Sequence, residues 1–287
     1  MSSPPTIIRG NSQFSDVDDY TIPLSGSLAL RAYSDTRPHN SHIADLQKGL
    51  ILVHRGAEMV GEGTGFGVPA LLYPDETYFS GSSLIHHYQQ EGLNIIRKEF
   101  LMNRIHRKRY RETKLENQKI RSMLRYLYGL YQNHRHFRFL ALKIPSAKMG
   151  IKTGFVKIAP AGNIIITYTI GRRTVLVRAD FSSVKRENLE KVFVFNEQGS
   201  RFLRRYSDSN GVRLIDRQIS AWEKIEAEWA SITDFNDRVG FRLWRAENAI
   251  LRTGREFVKD QRDWIGLDYE INPKNATFEY KIEILEA

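Results

Sequence analysis

The sequence predicts a mainly β protein, built of stacked, strongly twisted antiparallel sheets with one principal amphipathic α-helix, and three observations carry that prediction. Apolar and polar residues alternate with a period of two from end to end, the mark of half-buried strands. The runs are rich in β-branched and aromatic residues and are separated by turn-forming Gly, Pro, Asn and Asp. They amount to about 14 strands, too many for one twisted sheet to stay open, so the chain should curl into a barrel or stack in layers.

Residues 1–20 are polar and acidic, and residues 21–287 read as a single β-rich domain. Leu28, Leu30 and Ala32 make a first short run. Leu50 to Val53 and Glu58 to Val60 flank a His54-Arg55-Gly56 turn, and Leu71 to Tyr73 and Thr77 to Phe79 flank Pro74-Asp75-Glu76, so two hairpins follow in order. Leu93 to Arg111 reads as a long, basic, extended segment. From Thr113 to Asn133 the period changes: Ile120, Met123, Leu124, Leu127, Tyr128 and Tyr131 form the stripe of a helix, with Thr113 and Glu116 as its capping box. Strands resume at Ile151 to Ile158, Asn163 to Ile170, Thr174 to Phe181 and Lys191 to Phe195, the last ending in a turn at Asn196-Glu197-Gln198-Gly199. Arg201 to Tyr206 follows that turn. Ile215 to Trp229 alternates well enough for one long strand, and Leu267 to Ile271 with Phe278 to Ile284 reads as a closing hairpin.

Composition narrows the function classes. With 41% hydrophobic and 26% charged residues the chain is globular rather than disordered. The absence of cysteine excludes disulfides, thiolate catalysis and thiolate metal sites. No apolar run approaches the roughly 20 residues of a spanning helix, and the N-terminus has no signal-peptide core, so a cytoplasmic protein without a membrane partner is expected.

The net charge of +10 is concentrated. Residues 97–157 hold 17 Lys and Arg against three acids, a net +14, which leaves −4 to the remainder. Such a block suits a phosphate-rich partner, with Arg104, Arg107, Arg109, Arg111 and Arg125 as the candidate nucleic-acid contacts, or is a solvated surface.

The most unusual local feature is the run Gly61-Glu62-Gly63-Thr64-Gly65-Phe66-Gly67, with glycine at every second position. It is neither a dinucleotide fingerprint nor a P-loop. Alternate glycines bare one side of a strand, which either receives another part of the chain or forms a ligand floor. Histidines occur in pairs, His39 with His42, His86 with His87 and His134 with His136, but adjacent residues on a strand point to opposite faces and no HExxH occurs, so no metal or other cofactor is expected. There is no GxSxG nucleophile elbow. Glu58, Glu62, Asp75, Glu76 and Glu197 are scattered carboxylates that only folding could pair. Trp222 falls on the polar side of the 215–229 alternation and is the exposed aromatic candidate.

Long alternating strands, hairpin joins and one amphipathic helix, from about Leu28 to the end, resemble the supersandwich architecture of galactose mutarotase-like proteins. The resemblance implies a carbohydrate-handling protein in which a histidine and a carboxylate act over a sugar ring. On that reading Glu62 and His87, with His54, are the proton-transfer candidates, and Gly61, Gly63, Gly65, Gly67 and Trp222 line the ring. Two alternatives stand beside it: nonspecific nucleic-acid binding through 97–157, and a structural or self-assembling β protein.

Overall fold

The computed structural model describes residues 8–11, 18–34, 49–60, 63–74, 76–104, 109–111, 152–154, 160–199, 202–215, 218–219, 222–258 and 262–286. They fall in two compact units, one made of Met1–Ile105 with Ile158–Ala287 and the other of His106–Lys157. The described residues contain strands and turns and no α-helix. The helix expected at Thr113 to Asn133 lies outside them.

In the first unit, β1 (Ile8–Asn11), β2 (Asp18–Ser25), β3 (Leu28–Ser34), β4 (Ile51–His54) and β5 (Ala57–Glu58) form a five-stranded meander in chain order. Then come β6 (Gly65–Tyr73), β7 (Glu76–Gln90) and β8 (Leu93–Arg104). In the second unit β9 (Arg109–Arg111) pairs antiparallel with β10 (Lys152–Gly154). The first unit resumes with β11 (Asn163–Ile170), β12 (Thr174–Asp180), β13 (Lys191–Gly199), β14 (Arg205–Asp208), β15 (Arg213–Ile215), β16 (Glu223–Lys224) and β17 (Trp229–Thr233). It closes with β18 (Val239–Trp244), β19 (Ala249–Val258), β20 (Arg262–Ile271) and β21 (Thr277–Glu286). Fourteen of these form one antiparallel sheet in the order β15-β14-β17-β18-β21-β12-β11-β8-β7-β6-β13-β20-β19-β16. The mainly β, antiparallel prediction is therefore correct.

The hairpin turns follow from local chemistry. Arg55 and Gly56 join β4 to β5, and Glu91 and Gly92 join β7 to β8, each pair with positive φ at both positions, as a type I′ turn requires. β11 and β12 alternate strictly between buried and partly exposed residues, which puts Ile164, Ile166, Tyr168, Val175 and Val177 in the core. Each such buried aliphatic side chain contributes about 1.5–3 kcal/mol.

The large sheet folds back on itself. The ring of Tyr269 on β20 meets Phe278 and Tyr280 on β21 at 5.0 and 4.8 Å, and Phe66 on β6 meets Phe241 on β18 edge-on at 4.9 Å. β20 and β21 thus face each other across the core and do not pair: β20 bonds β13 and β19, while β21 bonds β12 and β18. This corrects the closing hairpin read from the sequence. The Asn272-to-Asn275 turn is there, but with apolar side chains on both flanking strands it was free to carry the chain to the opposite layer.

Two further readings change. β13 does not end at Phe195 but continues through Asn196, Glu197 and Gln198 to Gly199. The expected 215–229 strand is broken: β15 ends at Ile215, β16 spans two residues and β17 begins at Trp229, while Ile219, Ile225 and Ala227 are all buried. Packing of those apolar residues replaces the ladder that alternation alone suggested.

Candidate functional site

β13 sorts its side chains by parity. Val192, Val194, Asn196 and Gln198 are buried toward the core, where the Tyr280 hydroxyl donates to Asn196 Oδ1 at 2.7 Å. Lys191, Phe193, Phe195 and Glu197 therefore share the opposite face. The register with β20 sets Glu270 beside Phe193 and Gly266 beside Glu197, so Asp268 stands on that same face between them. On β19, Ile250 lies opposite Glu270, Arg252 opposite Asp268 and Gly254 opposite Gly266.

This face holds two carboxylates almost removed from solvent, Glu197 at 5% and Asp268 at 1% exposure. Thr64 donates to Glu197 Oε2 from its hydroxyl at 2.9 Å and from its backbone N–H at 3.4 Å. The Asn196 N–H donates to Asp268 Oδ1 at 3.4 Å. Over the bare Gly254 lies the indole of Trp222, which is 6.3 Å from the Phe195 ring. Gly266 is bare for a related reason: a Cβ there would come within 2.9 Å of Glu197 Cγ. The Arg252 guanidinium donates to Glu270 Oε2 and to the Trp222 carbonyl, both at 3.5 Å, and stands 5.4 Å over the Phe193 ring. Acceptors, a fixed cation and flat apolar rings are thus gathered on one sheet face. Glu197 and Asp268 have almost no surface of their own to offer; the groups of this face that reach solvent are the partly exposed Phe193, Phe195, Trp222, Arg252 and Glu270, whose rings take apolar C–H surface and whose charged ends hydrogen-bond hydroxyl groups.

Of the residues singled out in the sequence, Trp222 and the carboxylate Glu197 lie on this face, and Gly65 pairs with Glu197 at its margin. The bare sides of the glycine run are filled by the chain itself. A Cβ on Gly63 would meet the Glu197 carbonyl at 2.9 Å, on Gly65 the Leu50 carbonyl at 2.7 Å and on Gly67 the Tyr168 hydroxyl at 2.6 Å. Gly67 is also the extra residue of a bulge against β13, with φ +76°, and its N–H donates to Asn196 Oδ1. Gly63, Gly65 and Gly67 therefore offer no open ligand floor, because neighbouring backbone and the Tyr168 ring need that space. Gly61 and Glu62 lie outside the described residues.

His54 ends β4, where it pairs with Leu28 and Ala57. His87 stands on β7 opposite the buried Ile96, 5.8 Å from the Tyr20 ring, and burial pulls its pKa below the ordinary histidine value. Neither shares a described hydrogen bond or ring contact with the Glu197 face. Arg104 ends β8, Arg109 and Arg111 bracket β9, and Arg107 and Arg125 lie outside the described residues. Among the described residues no three His, Asp or Glu gather as a metal site, and no helix is long and apolar enough to cross a membrane.

Sequence reasoning named Glu197 among the scattered carboxylates without placing it at the site, and passed over Asp268. A signal was present for the first: Asn196 and Gln198 continue the parity of Val192 and Val194, so the polar run extends the strand. Asp268 alternates with Leu267 and Tyr269 as an outward residue should, and only the pairing with β13 buries it.

No family model and no curated protein matches the chain. Among solved structures, the Slr1438 protein from Synechocystis sp. PCC 6803 is similar with a TM-score of 0.39 and 10% identity, covering 100% of this chain and 99% of that one. The protein HI1317 is similar with a TM-score of 0.37 and 9% identity, covering 98% of each chain. Likenesses this remote assign neither a fold family nor a function.

Proposed function

We propose that the protein binds a sugar ring on the outer face of β6, β13, β20 and β19. The observation that carries this reading is the cluster of partly exposed groups there, the Trp222, Phe195 and Phe193 rings beside Arg252 and the Glu270 carboxylate, with Glu197 and Asp268 buried next to them. Carboxylates are acceptor-only groups, and ionised acceptors form the stronger hydrogen bonds with hydroxyl donors. The indole and Phe195 supply the apolar platform for the ring's C–H side. The supersandwich resemblance of the sequence points the same way.

Tryptophan fluorescence tests this reading. Soluble monosaccharides should quench or shift the emission, Trp222→Ala should remove the response, and Glu270→Gln should weaken binding with the fold intact. A broad carbohydrate panel without effect on the wild-type protein would overturn it.

A second reading, nonspecific nucleic-acid binding, is supported by charge: the compact unit His106–Lys157 contains 14 Lys and Arg and two acids. It requires no catalytic residue and is separable by experiment from the sugar face.

A further inference from the structure

We infer that the ligand of this face is a neutral oligosaccharide, its chain running along β19 from Trp222 into a neighbouring cavity walled by Trp244 and Ile250. The inference rests on the sugar reading above and specifies its substrate class. The cavity measures about 760 Å³ and is lined by Lys224, Glu226, Trp244, Arg245, Glu247 and Ile250, among others. That volume lies within the roughly 300–1,000 Å³ of pockets that enclose small-molecule ligands.

The strand register makes cavity and carboxylate face continuous. β16 pairs with β19 so that Lys224 stands beside Arg252, and Trp222 and Glu226 follow the same parity on either side of it. On β19 the residues of this face are, in order, Gly254 beneath Trp222, Arg252 and Ile250, and Ile250 opens into the cavity. From Gly254 to Ile250 is four strand residues, about 13 Å at ~3.3 Å each. A single ring cannot touch both ends of that path, whereas a chain of rings can.

The cavity's chemistry repeats that of the carboxylate face. Trp244 and Ile250 are both 39% exposed and line the same cavity, so together they give a chain of sugars a second stacking surface. Both charge signs surround them, Lys224 and Arg245 against Glu226, Glu228 and Glu247, and Lys224 is already paired with Glu226 at 2.6 Å. A mixed rim of this kind does not select a charged ligand, but it supplies donors and acceptors to hydroxyl groups.

Calorimetric titration of the full chain with a monosaccharide that binds, and with oligomers of the same sugar of increasing length, tests the inference. Affinity should rise with length by at least about tenfold, equivalent to ~1.4 kcal/mol. Trp244→Ala should remove that gain and leave monosaccharide affinity within about twofold, and Glu247→Ala, at the cavity's far rim, should reduce the gain with the same small effect on the monosaccharide. Trp222→Ala should weaken every length. Equal affinity for all lengths, or a length gain that survives both cavity variants, overturns the oligosaccharide inference and leaves the single-ring reading standing. Failure of every length to bind overturns both.

Discussion

Gly254 is where the carboxylate face can be perturbed with one methyl group. A Cβ at this position would lie 2.5 Å from Cδ2 and 2.8 Å from Cε3 of the Trp222 indole, and 2.8 Å from its Cα. Carbon atoms are at their optimum about 3.5–4.0 Å apart, so Gly254→Ala demands a shift of about 1 Å in both the ring and its backbone. Gly254 does not adopt a left-handed conformation, so the cost is steric and owes nothing to backbone strain. Overpacking of this kind costs about 1–3 kcal/mol. For a unit of this size that is about 2–4 °C in Tm per kcal/mol. Urea unfolding followed by far-ultraviolet circular dichroism measures the stability loss, and the emission maximum of the tryptophans reports displacement of Trp222. The Gly254→Ala variant should be less stable, shifted in emission and unresponsive to sugar. Unchanged stability together with unchanged emission would show that Trp222 is not seated on β19, and the reasoning about the site would fall with it.

Three other outcomes are expected. The Gln198 side chain is fully buried, and among the described residues neither amide atom has a hydrogen-bond partner, so Gln198→Met should raise stability by about 1–2 kcal/mol; an equal loss in urea unfolding would show that the amide is satisfied. Burial, then the hydrogen bond to Glu58, pushes the Tyr33 pKa up to about 12, so the folded state holds that proton longer than the unfolded chain. Its contribution is complete below the unfolded value near 10 and is lost as pH rises toward 12, so a Tyr33→Phe variant should show a shallower alkaline fall in stability; parallel pH profiles for the two proteins would refute this. Finally, Leu101 on β8 pairs with Asn163 on β11, so replacing 106–157 by a short turn should leave the sheet folded and the sugar response intact. If the basic unit binds DNA, the wild-type log affinity falls with log salt at about 0.7–0.9 per phosphate neutralised and the shortened chain loses binding; equal binding by both would remove the nucleic-acid reading.

Much of the architecture was legible in the period-two pattern because strands with one buried face must alternate. Asn163–Ile170 and Thr174–Asp180 emerge almost residue for residue, and the Arg55-Gly56 turn follows from its glycine. What alternation cannot convey is the partner. Leu267 to Ile271 and Phe278 to Ile284 carry the right pattern for a hairpin, yet the same pattern serves two strands in facing layers. The site was less legible for a related reason. Trp222 was found on its face, but through an alternation that the chain does not follow as a strand. Glu197 and Asp268 are 71 residues apart, and only the β13–β20 register sets them side by side. The glycine run drew attention because its spacing is local, while the glycines that seat Trp222 and Glu197, Gly254 and Gly266, stand isolated in their own strands.

The large sheet ends in β15 at one side and β16 at the other, three and two residues long. A row of unpaired backbone N–H and C=O groups is a template for a strand from another molecule, and its strength grows with the length of the row. At the β15 side the row is three residues long and offers little purchase to such growth; at the other side β16 pairs only Arg252 and Thr253 of the ten-residue β19, where it sets the exposed charges of Glu223 and Lys224. In concentrated solutions of this β-rich chain, edge-to-edge polymerisation into fibres is therefore opposed by shortness at the β15 margin and by charge at the β16 margin.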